Sequence, residues 1–289
     1  MPFRIRSNAV ALLALLAAGA AGGHAAQPDS ATITIIGAER MVPLSKRLAA
    51  AYRERRPEIR IEVSGGGSEA GFRQLAEGSA TIATASRPPS KEEVQFCRRK
   101  RNQEFVGTPI AMDAVAFYVA ANRPLTALTI EQIRKIVGPV SGTWEELGLP
   151  GKAIQLHVPR KTSGSLAAVQ TRVLGKTVFT RKKSEHETVA ALLEAVADDP
   201  KAMGLAGLFK ADGVRIVPIQ RNADTAPVLP TAEAVQNGTY PLAHYLYWYT
   251  AGLPEPAVRD FLKFALSPEG QEIIRRADVG PVPLPLRPE

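Results

Sequence analysis

Four short loops of this chain each gather glycines, hydroxyls or arginines: Ala38 to Val42, Ser64 to Ser68, Ser86 to Pro89 and Arg160 to Ser165. Arg40, Arg87 and Arg160 are the candidate charges, and Ser64, Ser68, Ser86, Thr162, Ser163 and Ser165 are the candidate hydroxyls. A dehydrated oxyanion needs a donor for each of its many lone pairs. Guanidinium forks, hydroxyls and backbone N–H groups at helix starts supply such donors, and glycine lets the backbone come close. Taken singly, each residue reads as a helix cap or a solvated arginine. Four such loops together read as one anion site.

Each loop stands after a strand pattern and before a helix pattern. Thr32 to Ile36 is a β-branched run closed by Gly37, and Leu44 to Tyr52 has apolar residues at helical spacing. Ile59 to Val63 and a helix beginning at Glu69 repeat the unit, and Thr81 to Ala85 is a third strand. Such a series predicts a parallel sheet with right-handed crossovers, whose ligands bind at the carboxyl ends of the strands. The unit returns at Ile154 to Val158, followed by the Arg160 loop and a helix over Leu166 to Val173. Thr129 caps a helix that runs to Val137, Glu187 to Val196 is helical, and Pro256 to Leu266 and Pro268 to Arg276 are closing helices. Gly204 to Leu208 and Val214 to Pro218 are short strands. Ala111 to Ala121 and Leu242 to Thr250 are the longest strand candidates, expected to cross antiparallel between two lobes.

The chain has 289 residues, 45% hydrophobic and 22% charged, which excludes a disordered or collagen-like polypeptide. Its formal charge of +8 favours anionic partners without identifying one. Cys97 stands alone, so no intrachain disulfide is possible, and the four histidines, His24, His157, His186 and His244, show no paired spacing that would suggest zinc. Residues 1–26 read as a secretory signal: Arg4 and Arg6, an apolar Ala9 to Ala21, then Gly23, Ala25 and Ala26 for cleavage. Its removal lowers the charge by two. No Cys follows the apolar run to carry a lipid, and export to the periplasm is expected.

Other motifs read as scaffold. Gly175-Lys176-Thr177 lacks the first glycine of a nucleotide-binding loop, because that position is Gln170. Arg98 to Arg101 reads as the solvated end of a helix, and no nucleic acid is expected. Tyr245, Tyr247 and Tyr249 share one strand face and read as core and hinge packing. From the sequence no histidine can be placed as a base beside a nucleophilic serine, so no enzyme activity and no cofactor are expected.

Ser64-Gly65-Gly66-Gly67-Ser68, Ala85-Ser86-Arg87-Pro88, Leu128 to Ile133, Thr143 to Gly148, Arg160 with Ser163-Gly164-Ser165, Tyr240-Pro241-Leu242 and Ala265 to Gln271 resemble, in order, the phosphate-binding proteins of bacterial ABC transporters. The resemblance spans about Ile33 to Leu284. It implies an α/β, two-lobed periplasmic-binding-protein fold of type II, each lobe a mostly parallel sheet flanked by helices, with the ligand cleft between them. It also implies lobe I over residues 31–117 and 238–289, lobe II over 118–237, and a monomer that delivers inorganic phosphate or a similar oxyanion to ABC permease subunits. Carried over by residue, the ligand contacts are Arg40, Met41, Ser64, Ser68, Ser86, Arg160, Ser163, Gly164 and Ser165, with Arg87 adjoining. Sulfate, molybdate or tungstate are alternative ligands, and an exported signalling or surface-binding module is the alternative role.

The chain departs from the family in three loops, the last of which ends in Ser165 where Thr is usual and is one residue shorter. Many relatives carry Asp where Arg87 stands, and that Asp accepts the proton of a protonated phosphate. Its absence predicts a preference for the dianion, with phosphate affinity rising from about pH 5.5 to 8 and stronger competition by sulfate. Glu39 is the second departure, a negative charge that would repel an anion if it turned inward or replace the missing acceptor.

Overall fold

The computed structural model describes residues 31–140, 142–159, 164–276 and 282–284. The signal-like residues 1–26, and Arg160 to Ser163, lie outside the described residues. In chain order the elements are β1 (Thr32–Gly37), α1 (Val42–Arg55), β2 (Arg60–Ser64), α2 (Gly67–Glu77), β3 (Ile82–Ala85), α3 (Lys91–Arg101), β4 (Phe105–Ala120), β5 (Leu128–Thr129) and α4 (Ile130–Val137). There follow β6 (Gln155–Pro159), α5 (Gly164–Val169), β7 (Lys183–His186), α6 (Val189–Asp198), β8 (Ala202–Gly207), β9 (Val214–Ile216) and β10 (Ile219–Gln220). The chain closes with α7 (Ala232–Gln236), β11 (Ala243–Ala251), α8 (Pro256–Leu266), α9 (Pro268–Arg275) and β12 (Val282–Pro283).

One curled mixed sheet runs β2-β1-β3-β11-β4-β8-β6-β7, with β9 and β12 also paired to β4. As the repeated strand–loop–helix units predict, β1 is parallel to β2 and β3, and β6 is parallel to β7 and β8. The two long strands, β4 and β11, pair antiparallel from Ala243↔Ala114 to Ala251↔Phe105, with an irregularity between Leu246 and Tyr247. β4 begins at Phe105, earlier than its apolar run suggests, because Phe105 to Thr108 pair with the end of β11. The expected helix over Leu166 to Val173 is instead α5 followed by a π-turn over Gln170–Leu174.

Two large cores flank the central strands. One gathers Ile33, Leu48, Ile110, Ala111, Leu246, Trp248 and Phe261; the other gathers Met112, Val115, Phe117, Trp144, Leu156, Leu205 and Tyr240. Two of the motifs that carry the family resemblance, Thr143 to Gly148 and Ala265 to Gln271, hold these cores in place. Trp144 is fully buried and donates its indole N–H to the Lys201 carbonyl at 3.0 Å. Ser267 caps α9 by accepting from the Gly270 N–H, and Gln271 donates to the carbonyls of Ile110 and Ala265 at 3.1 and 2.8 Å. A buried amide at that position thereby locks the closing helices to β4.

Candidate functional site

The site is built where strand ends meet helix starts. After β1 the chain turns at Gly37, whose φ of +152° suits glycine and where a Cβ would meet the Thr84 nitrogen at 2.8 Å. The turn over Glu39–Met41 then throws the Arg40 side chain across to the far half of the sheet. Arg40 donates from Nε to Asp113 Oδ2 at 2.9 Å, and from Nη2 to Asp113 Oδ1 at 3.3 Å and to the Leu208 carbonyl at 3.0 Å. Burial alone would lower the Arg40 pKa, but the Asp113 charge and hydrogen bond outweigh it and the net displacement is upward. The segment that presents the Leu208 carbonyl is held by Tyr118, whose hydroxyl donates to the Gly207 carbonyl and accepts from the Phe209 N–H at 2.9 and 2.8 Å. Burial pushes that phenol up to about 12, so it remains a neutral donor.

A cavity of about 290 Å³ opens beside this arginine. Arg40, Ser86, Gly164 and Ser165 line it, together with the carboxylates of Glu39, Asp113 and Glu187 and the ring of His244. Ser86 is 5% exposed, and its hydroxyl has no hydrogen-bond partner among the described residues. Its backbone N–H reaches Ser68 Oγ at 3.5 Å. Gly164, the first residue of α5, lies so close that a Cβ there would come within 2.8 Å of the Ser86 Cβ. An unpaired hydroxyl buried against a backbone turn is costly unless a guest completes it.

Of the sequence candidates, the structure brings together Arg40, Ser86, Gly164 and Ser165, with Ser68 one bond behind. Met41 is fully buried in the core, and Ser64 is exposed at the end of β2 and lines neither this cavity nor its neighbour. Arg87 forms a two-pronged ion pair with Glu93, both contacts 2.7 Å, and Glu93 also closes the capping box of α3 with Ser90. Its charge is thereby shared with Glu93. Glu39 does face the cavity, and its carboxylate accepts from the Gly66 N–H at 2.6 Å. Arg160 and Ser163 lie outside the described residues.

Asp113, Glu187 and His244 escaped the sequence reading. Asp113 and His244 stand opposite each other across β4 and β11. Asp113 is the one acidic or basic residue of β4 and His244 the one histidine of the aromatic β11, which is the signal that was available, since a buried charge demands a partner. His157 and His186, which share no short spacing in the sequence, meet in space: Nδ1 of the first and Nε2 of the second lie 2.9 Å apart with their rings stacked, because β6 and β7 run side by side. Among the described residues no group of three side chains is placed to hold a metal ion.

A mixed α/β chain whose cavity sits where the loops after β1 and β3 meet the start of α5 has the architecture of a periplasmic binding protein. A family model described as PBP superfamily domain matches residues 22–269, and the chain belongs to that family. Among curated relatives, phosphate-binding protein PstS of Pseudomonas aeruginosa is 27% identical over 275 residues, 89% of this chain and 84% of that one. Among solved structures, an ABC-type phosphate transport receptor from Vibrio cholerae superposes with a TM-score of 0.74 at 21% identity, over 86% of this chain and 99% of that one. A candidate phosphate ABC transporter substrate-binding protein with bound phosphate, from Clostridium perfringens, superposes with a TM-score of 0.70 at 26% identity, over 87% and 99%. The family and type II fold implied by the sequence motifs are thus borne out.

Proposed function

We propose that this protein is an exported solute-binding protein that captures inorganic phosphate and delivers it to an ABC permease in the membrane. The observation that carries the reading is Ser86: a residue 5% exposed whose hydroxyl has no partner among the described residues, set against Gly164 in a cavity that Arg40 also enters. The names of the relatives supply the ligand, and the resemblance adds Arg160 and Ser163 to the donor set. Export rests on residues 1–26; in addition, no helix among the described residues is long and apolar enough to cross a membrane.

The two-lobe division over 31–117 with 238–289, and 118–237, is part of this proposal. Two separate cores support it, and they exchange between Ala111 and Met112 on β4, earlier on the strand than residue 117. Arg40 on one side and Gly164 on the other would both reach a ligand held between them. A closed state that satisfies every donor is then the form a permease can recognise. Calorimetric titration with phosphate, arsenate, sulfate and molybdate tests the reading. Phosphate and arsenate are expected to bind one per chain and to outcompete the other two; heat with sulfate or molybdate alone, or with none, refutes it.

A further inference from the structure

The ends of two parallel strands wall one side of the ligand cavity. Pro159, the last residue of β6, and Glu187, the residue after β7, both line it, as does Val189 at the start of α6. β7 is an edge strand of the sheet, four residues long and paired, among the described residues, to β6 alone. Such a strand opens at lower cost than the central ones. Besides the main-chain ladder, the contact of His157 Nδ1 with His186 Nε2 at 2.9 Å fastens it.

The register sets His157 beside Ser184 and Gly204, and His186 opposite Pro159, so both imidazoles lie on one face of the sheet. α6 covers that face: a Cβ on Gly204 would meet Leu192 and Val196 at 2.9 and 3.0 Å. His157 is 8% exposed, and its Nε2 is buried with no partner among the described residues. One placement of protons suits this geometry. His157 donates from Nδ1 to His186 Nε2 and keeps its own Nε2 bare. A further proton on His157 Nε2 would strand a charged N–H where no acceptor stands, and one on His186 Nε2 would set two N–H groups against each other. The contact holds only while the pair is neutral.

Few charges could answer an added proton. β8 brings no titratable side chain. On β7, Lys183 and Glu185 pair with each other at 3.0 Å on the opposite face, beside Leu166 and Ala167 of α5. α6 carries Glu194 and Asp198, both exposed. Asp199, just after α6, favours a proton on His157, but burial and then the His186 charge oppose it and prevail.

Resting on the phosphate reading above, we propose that the His157–His186 pair is an acid-sensitive latch on the ligand cavity. Neutral, it holds the wall of Pro159 and Glu187 against the ligand. When acid adds a proton the contact breaks, β7 parts from β6, and the loosened wall releases phosphate.

Calorimetry on the full chain with inorganic phosphate at pH 5.5 and 7.5 tests this, because comparing variants at the same two pH values cancels the titration of phosphate itself. The loss of affinity at the lower pH should be about three- to tenfold larger in the parent than in His186→Asn or His157→Phe, each of which removes one of the paired bases. Linkage demands the converse effect. In a nuclear magnetic resonance titration of the parent, His157 and His186 should take up protons at lower pH with phosphate bound than without it. The inference is overturned if the parent and both variants lose affinity alike, or if phosphate leaves the two histidine titrations unmoved; should a variant fail to fold, the titration of the parent decides. Either of those results with phosphate bound at pH 7.5 defeats this inference alone, whereas no phosphate binding at pH 7.5 defeats the proposed function with it.

Discussion

The serine–glycine loop before α2 and the loop after β3 start from similar residues and end in opposite states. In the first, the Gly66 N–H is already occupied by the carboxylate of Glu39 at 2.6 Å, and Gly66 and Gly67 take φ values of +119° and +86° around it. In the second, the Ser86 hydroxyl is buried and has no partner among the described residues. One cradle holds an anion that belongs to the chain, while the other is left for a guest. A serine or glycine after a strand is therefore only a potential donor. What the rest of the chain sends to meet it decides whether it becomes a cap or a binding site.

The strongest way to break this contrast is to fill the second cradle. Gly164→Ala places a Cβ against Ser86, where neither backbone turn can retreat cheaply. Phosphate affinity should fall by about a hundredfold or more while the circular dichroism spectrum is kept. Retained affinity would show that Gly164 does not border the ligand.

Removing only the hydroxyl is the next step. A hydrogen bond to a charged group contributes about 1.5–3 kcal/mol, so Ser86→Ala should weaken phosphate about ten- to a hundredfold. Because that hydroxyl has no partner among the described residues, the melting temperature without ligand should not drop. A large loss of stability in the variant would mean the hydroxyl serves the fold.

The first cradle responds more gently. Glu39→Gln removes an exposed charge that faces the cavity, and phosphate affinity should rise about two- to fivefold. Competition by sulfate sharpens the result. If sulfate competes with the variant but not with the parent, Glu39 is the selectivity element, and the expectation drawn from Arg87 is wrong.

The smallest effect lies outside both loops. Burial, and then the charge of His186, hold the His157 pKa below the usual imidazole value, and burial does the same to His244. The unfolded chain, with imidazoles near about 6.5, then binds more protons at acid pH than the folded one. This contribution to stability is complete above that value and is lost as pH falls through it toward the folded pKa. Urea unfolding should show lower stability at pH 5.5 than at pH 7.5, with a shallower dependence in His157→Asn. An unchanged slope in the variant would remove His157 from the account.

Much of the frame was legible because its signals are local. Hydrophobic periodicity located β1, α1, β6 and the closing helices, and Thr129 caps α4 as expected, in a capping box that Gln132 completes. The site was legible in part. Arg40, Ser86, Gly164 and Ser165 converge on one cavity, while the ion pair that Arg87 makes with Glu93 in the first turn of α3 could not be read from the loop alone. Asp113 and His244 were missed because their meaning arises only when β4 and β11 pair. The His157–His186 contact depends in the same way on the register of β6 and β7, which pairs Pro159 with His186 and which no spacing along the chain encodes.

The claim that Ser86 waits for a guest is tested most directly by a crystal structure of the full chain grown with inorganic phosphate. A phosphate oxygen within about 2.5–3.0 Å of Ser86 Oγ, in the cavity lined by Arg40 and Gly164, is the predicted result. Phosphate bound elsewhere, or a Ser86 hydroxyl still without a partner beside it, would contradict the account.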